Sequence, residues 1–180
     1  MISPLILVAI ALAGPLFFLL RAVRGNKPKV RTTADITSLI VPVDVAGFRN
    51  LTNPAELEFL RRNLAPRSFR RVQRRRQLAA AQYVLAVARN ASIMLRMAEA
   101  NLQNDDPEIA AAANALARDA LQLRMRALSA LIRIYWCAML PSASLAGLPI
   151  AEDYLGLSAR AGQFVSRRFP SEASAVSHVL

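Results

Sequence analysis

The chain has 180 residues, 54% of them hydrophobic but only 6% aromatic, and a formal net charge of +11. One cysteine, Cys137, and one histidine, His178, exclude an intrachain disulfide and any Cys/His metal set. The apolar surplus therefore lies in Ala, Leu, Val and Ile, and with only six glycines it favours helix over sheet, so an all-α fold is expected.

Charge is unevenly spread. Residues 1–76 hold fourteen Lys or Arg against four Asp or Glu, whereas residues 77–180 hold nine against eight. A basic front end joined to a near-neutral body points to an anionic partner near the front, either a lipid surface or nucleic acid.

Residues 2–20 carry no charge. As a helix they would span about 28 Å, close to the hydrocarbon thickness of a bilayer, so a single transmembrane anchor is expected over 1–20. Pro4 falls in the first turn, and Pro15 gives a kink that membrane helices tolerate. A cleaved signal peptide would carry a basic segment before its apolar run, and none precedes this one. Arg21, Arg24, Lys27, Lys29 and Arg31 follow at once, which by the positive-inside rule places the N-terminus outside and the body in the cytoplasm. Residues 21–53 then form a basic juxtamembrane segment and a connector, expected to be extended because Ile36, Ile40, Val41, Val43 and Val45 are β-branched and Pro42 interrupts a central strand.

Helix signals dominate from there to about residue 165. Asn53, Pro54 and Glu56 supply an N-cap, an N1 proline and a first-turn acid for a short helix over about 54–65. Pro66 opens a long helix over about 66–103. Between them run eight arginines in sixteen residues with no acid interposed: Arg61, Arg62, Arg67, Arg70, Arg71, Arg74, Arg75 and Arg76. Cations at a helix N-terminus oppose the macrodipole and repel each other at i, i+3 and i, i+4. Folding alone does not favour that placement, so these arginines, with the five cations of 21–31, are the candidate contacts for anionic lipid or phosphate.

The long helix then turns apolar. Gln82, Arg89, Arg96 and Gln103 mark a narrow polar stripe, and Ala80, Val84, Val87, Ala91, Met94 and Ala98 alternate at 4–3 spacing as a seam for close helix approach. Asp106, Pro107 and Glu108 cap a helix over about 107–140, and the short connection makes the pair an antiparallel hairpin. This second helix has a polar stripe of Asp119, Gln122, Arg126, Ser129 and Arg133. It has two apolar seams: Leu116, Ala120, Leu123, Ala127, Leu131 and Ile134, and Ala117, Leu121, Met125, Leu128, Ile132, Tyr135 and Met139. A two-helix hairpin buries one seam per helix. The surplus must be covered by the 54–65 helix, by a helix over about 149–165, or by self-association. Residues 127–150 are apolar too, but Arg133 lies inside them and Pro141 divides them, so they are read as a buried helix end rather than a second span. Residues 166–180 are read as a flexible tail.

No phosphate-cradling glycine loop is present, and His178 is too near the end of the chain to serve a Ser/His/Asp or Cys/His centre. Neither an enzyme, a cofactor nor a metal is expected. The expectation is a membrane-anchored helical interaction or scaffold protein that contacts anionic lipid and packs with a helical partner or with itself. The alternative is a membrane-tethered nucleic-acid binder using Arg61 to Arg76, in which Phe69 is the only aromatic within the run.

Overall fold

The structure is a computed structural model that describes residues 39–139 and 150–168. The anchor expected over 1–20, the cations Arg21, Arg24, Lys27, Lys29 and Arg31, the start of the connector and the end of the tail lie outside the described residues.

Among the described residues the fold is all-helical with no strand, as composition led one to expect. Five helices follow in order: α1 (Val45–Thr52), α2 (Pro54–Asn63), α3 (Pro66–Glu99), α4 (Pro107–Met139) and α5 (Ile150–Arg168). The connector expected to be extended is corrected by α1. Asp44 caps it, its carboxylate accepting from the Gly47 N–H at 2.8 Å, and Phe48 is pulled into the core against Tyr83 with ring centroids 5.9 Å apart. A local Asx cap and a buried aromatic thus override the β preference of the preceding residues. Asn53 serves two helices, its backbone N–H closing α1 on the Asn50 carbonyl and its side chain capping α2 at Ala55 N–H.

α3 is 34 residues long, about 51 Å. It stops at Glu99, short of 103, where the chain turns through Ala100 and Asn101 and the Asn101 amide donates to the Met97 carbonyl at 2.8 Å. Asp106 then caps α4 by accepting from the Glu108 N–H at 2.9 Å. α5 continues to Arg168, three residues into the stretch read as tail, its last turn carrying Arg167 and Arg168, cations favourable at a helix C-terminus.

Side-chain pairings give the directions. On α5, Tyr154 meets Asn90 and Arg168 meets Asn101, so α5 runs parallel to α3. Asp153 meets Arg126 and Arg160 meets Asp119, so α5 runs antiparallel to α4. α3 and α4 are therefore antiparallel neighbours, and their mutual packing is the largest in the fold. All six residues of the α3 seam and all six of the first α4 seam are buried.

The other α4 seam is covered only in part, by the packing of Ala117 and Tyr135 against the core. Leu121, Met125 and Ile132 are exposed, because α5 sits on the side marked by Asp119 and Arg126 and uses those charges as partners. By length and composition α3 is long and apolar enough to cross a membrane. In this fold its apolar side is the packing face for α4 and α5, and it also buries Asn90 completely.

Candidate anionic-surface site on the second and third helices

The basic run divides in two. At about 100° per residue, Arg67, Arg70, Arg71, Arg74 and Arg75 fall within an arc of about 140° on α3. Gln73 and Ala80 lie on the other side and Gln77 just beyond the edge of the arc, all three buried, with Gln73 and Gln77 beside Leu51, Thr52 and Leu57 of the short helices. The five arginines of the arc are exposed, as are Arg61 and Arg62 in the last turn of α2. Arg62 pairs with Glu58 at 2.9 Å and Arg70 donates to the Pro66 carbonyl at 3.3 Å. Arg61, Arg67, Arg71, Arg74 and Arg75 have no ion-pair partner among the described residues. The start of α3 has no side-chain cap and no acid in its first turn, so its free N–H groups add to the positive field.

Arg76 is the exception, which corrects its place among the candidate contacts. It lies about 180° from Arg67 around the helix, and only 13% of its side chain is exposed. Its guanidinium pairs with Glu56 at 2.8 Å and donates to the Asn50 and Leu51 carbonyls at 2.9 and 3.2 Å. Those carbonyls end α1, where a cation satisfies orphan acceptors and complements the dipole. One side chain thus ties α1 and α2 to α3. The Arg76 hydrogen bond, followed by its charge, holds the Glu56 carboxyl below its usual value of 4.5 despite partial burial. Spacing carried the signal for this inward role, since Arg76 shares a face with Gln73 and Ala80 at i−3 and i+4.

Two apolar neighbours of the arginine arc were not singled out from the sequence. Phe59 on α2 is 63% exposed, and Leu78, one turn beyond Arg74 and on the same arc, is 46% exposed. Phe59 stands off the Leu57–Leu60–Leu64 spacing that turns α2 toward α3, which is the clue the sequence offered.

A second charged region lies between α4 and α5. Asp119, Arg126, Glu152, Asp153 and Arg160 line an open groove of about 220 Å³. Asp119 pairs with Arg160, Asp153 with Arg126, and Glu152 with Arg49 of α1 at 2.9 Å. Each of the three acids is paired with a guanidinium from another helix, so the region is built as an interhelical clasp. Cys137 is buried on α4, and among the described residues no group of three or more Cys, His, Asp or Glu is placed to hold a metal. Compared with known proteins, the chain matches no family model, no curated protein and no solved structure.

Proposed function

We propose that this chain is a single-pass membrane-anchored interaction protein. Residues 2–20 form the anchor, with the N-terminus outside. In the cytoplasm, the arginine arc of α2 and α3 lies against anionic phospholipid headgroups while the helical body packs with a helical partner or a second copy. The observation that supports this reading best is the division of the basic run. Arg76 is consumed inside the fold, whereas Arg67, Arg71, Arg74 and Arg75 stand outward, with no ion-pair partner among the described residues, at the end of a helix whose dipole repels them. An anionic surface converts that repulsion into attraction of about 1 kcal/mol for each arginine that reaches it. Exposed Phe59, which shares a face of α2 with Arg62 at i+3, matches the pairing of aromatic and cation favoured at a membrane interface. The cations of 21–31 bring the same surface close.

Flotation of the 31–180 fragment with vesicles of rising anionic lipid content tests the lipid contact. Binding should rise with anionic content and fall with salt, and Gln at 67, 70, 71, 74 and 75 should remove it. Binding indifferent to lipid charge or to those changes refutes it. A gel shift with a steep salt slope and no vesicle binding would transfer the surface to nucleic acid instead.

A further inference from the structure

α4 presents an apolar stripe to neither of its neighbours. Leu121, Met125, Leu128, Ile132 and Trp136 recur at i, i+4, i+7, i+11 and i+15, within an arc of about 80° and over a length of about 22 Å. The face toward α3 is set by Leu116, Leu123 and Ile134, and the face toward α5 by Asp119 and Arg126, so the stripe points outward. Leu121 is 51% exposed, Met125 61%, Ile132 40% and Trp136 49%. Single exposed apolar residues are ordinary, but a contiguous row at helical spacing marks an interaction surface.

Width and charge select the occupant. A helix lying in a bilayer interface presents a broad apolar face, whereas an arc this narrow is the width of one helix–helix seam. Exposed Arg118 stands at one edge and half-buried Arg124 beyond the other, neither with an ion-pair partner among the described residues. The acid nearest the stripe on α4, Asp119, is taken by Arg160. A second copy fits poorly: along the stripe α4 offers no acid but Asp119, already paired with Arg160, so stripe-to-stripe pairing gives neither Arg118 nor Arg124 a partner.

We infer that this stripe docks an amphipathic α-helix whose apolar seam is flanked by acidic residues. The inference rests on the reading of the chain as an interaction protein and names where and with what chemistry that interaction occurs. Met125 at the centre supplies an unbranched, adaptable contact, and Arg118 and Arg124 set partner choice as flanking charges do in coiled coils.

Trp136 is the only tryptophan in the chain and reports on the stripe directly. The full chain in nanodiscs of zwitterionic phospholipid is titrated with a soluble helical peptide of about three heptads, Leu at its seam and Glu beside it. The expected result is a saturable blue shift of Trp136 emission with reduced acrylamide quenching, and affinity at least about tenfold above that of the same peptide with Lys for Glu. Met125→Glu should abolish the shift, and Arg118→Glu with Arg124→Glu should reverse the preference toward the Lys peptide. Far-UV dichroism checks that these variants, at exposed Arg118 and Met125 and at half-buried Arg124, keep the fold.

No shift with the Glu peptide, or equal shifts with both peptides, overturns the inference. So does shielding of Trp136 that follows protein concentration alone, that appears only with anionic vesicles, or that is already complete in the isolated chain at high dilution. Those outcomes assign the stripe to a second copy, to lipid and to another segment of this chain respectively. Vesicle flotation reports separately on the arginine arc, so failure of the peptide titration with intact, arginine-dependent flotation sinks this inference and leaves the lipid reading standing.

Discussion

Asn90 is the residue whose removal should reveal most about how the body is held together. Its side chain is fully buried in the second half of α3. The Oδ1 atom accepts from the Val41 N–H at 3.0 Å, and Nδ2 donates to the Val41 carbonyl at 2.7 Å and to the Tyr154 hydroxyl at 2.8 Å. The amide therefore treats Val41 as one strand treats its neighbour, while its second N–H reaches α5. In Asn90→Ala three hydrogen bonds vanish, each worth about 1 kcal/mol net. The Tyr154 hydroxyl is left in a site where the residue is 2% exposed, adding about 1 kcal/mol, whereas Val41 is half-buried and recovers water. Alanine's better helix propensity returns about 0.6 kcal/mol. The expected loss is about 3 kcal/mol, read as a fall of about 1.5 M in the urea midpoint of the 31–180 fragment if m is near 2 kcal/mol per M. Tyr154→Phe alone should cost about 1 kcal/mol, and because the double variant loses the shared bond only once and leaves no stranded hydroxyl, it should cost about 2 kcal/mol less than the sum. Amide exchange at Val41 should accelerate in Asn90→Ala but not in Tyr154→Phe. A loss below about 1 kcal/mol for Asn90→Ala, or strict additivity of the pair, refutes the account of a shared amide.

The two kinds of arginine should part under mutation. Arg76→Gln should cost about 2 kcal/mol by urea melt, because the α1 carbonyls and Glu56 lose their partner. Combined Arg71→Gln, Arg74→Gln and Arg75→Gln should leave stability unchanged or raise it by up to about 1 kcal/mol by relieving the dipole and mutual repulsion, while vesicle flotation falls. Burial raises the Tyr154 hydroxyl above its ordinary value of 10.0, with the Asn90 bond partly opposing. The native state then keeps a proton that the unfolded chain releases, so this contribution is whole below pH 10 and is lost as pH rises through the native value. The stability difference between wild type and Tyr154→Phe should shrink in that window in alkaline urea melts. In Gly47→Ala the new Cβ would lie 2.6 Å from the Asp44 carboxylate and 3.0 Å from the Tyr83 hydroxyl. The Asp44 cap should be displaced and thermal unfolding should report a loss of about 1–2 kcal/mol, whereas Gly156→Ala, with open space around it, should be neutral or stabilising.

How much of this was legible in the sequence follows from how local each feature is. Helix identity, the caps at Asn53 and Asp106, and the seams Ala80 to Ala98 and Leu116 to Ile134 depend on spacing along one helix and on groups a few residues apart, so order along the chain was enough to read them. Even α1, read as extended, was signalled by Asp44 and Gly47, and was missed because β-branched neighbours weighed more heavily than one cap. Tertiary structure alone decided three things. Arg76 is chemically identical to Arg75, and only the arrival of α1 and α2 beside its face of α3 made it a structural clamp. Asn90 read as one polar residue among apolar ones, and its partners lie 49 and 64 positions away. The surplus seam of α4 was visible as surplus, yet which face α5 would cover depended on matching Asp153 to Arg126 and Arg160 to Asp119 across helices. Periodicity tells a chain which residues share a face; only the meeting of faces, where charges and hydrogen-bond groups find partners from distant positions, determines which face stays in water.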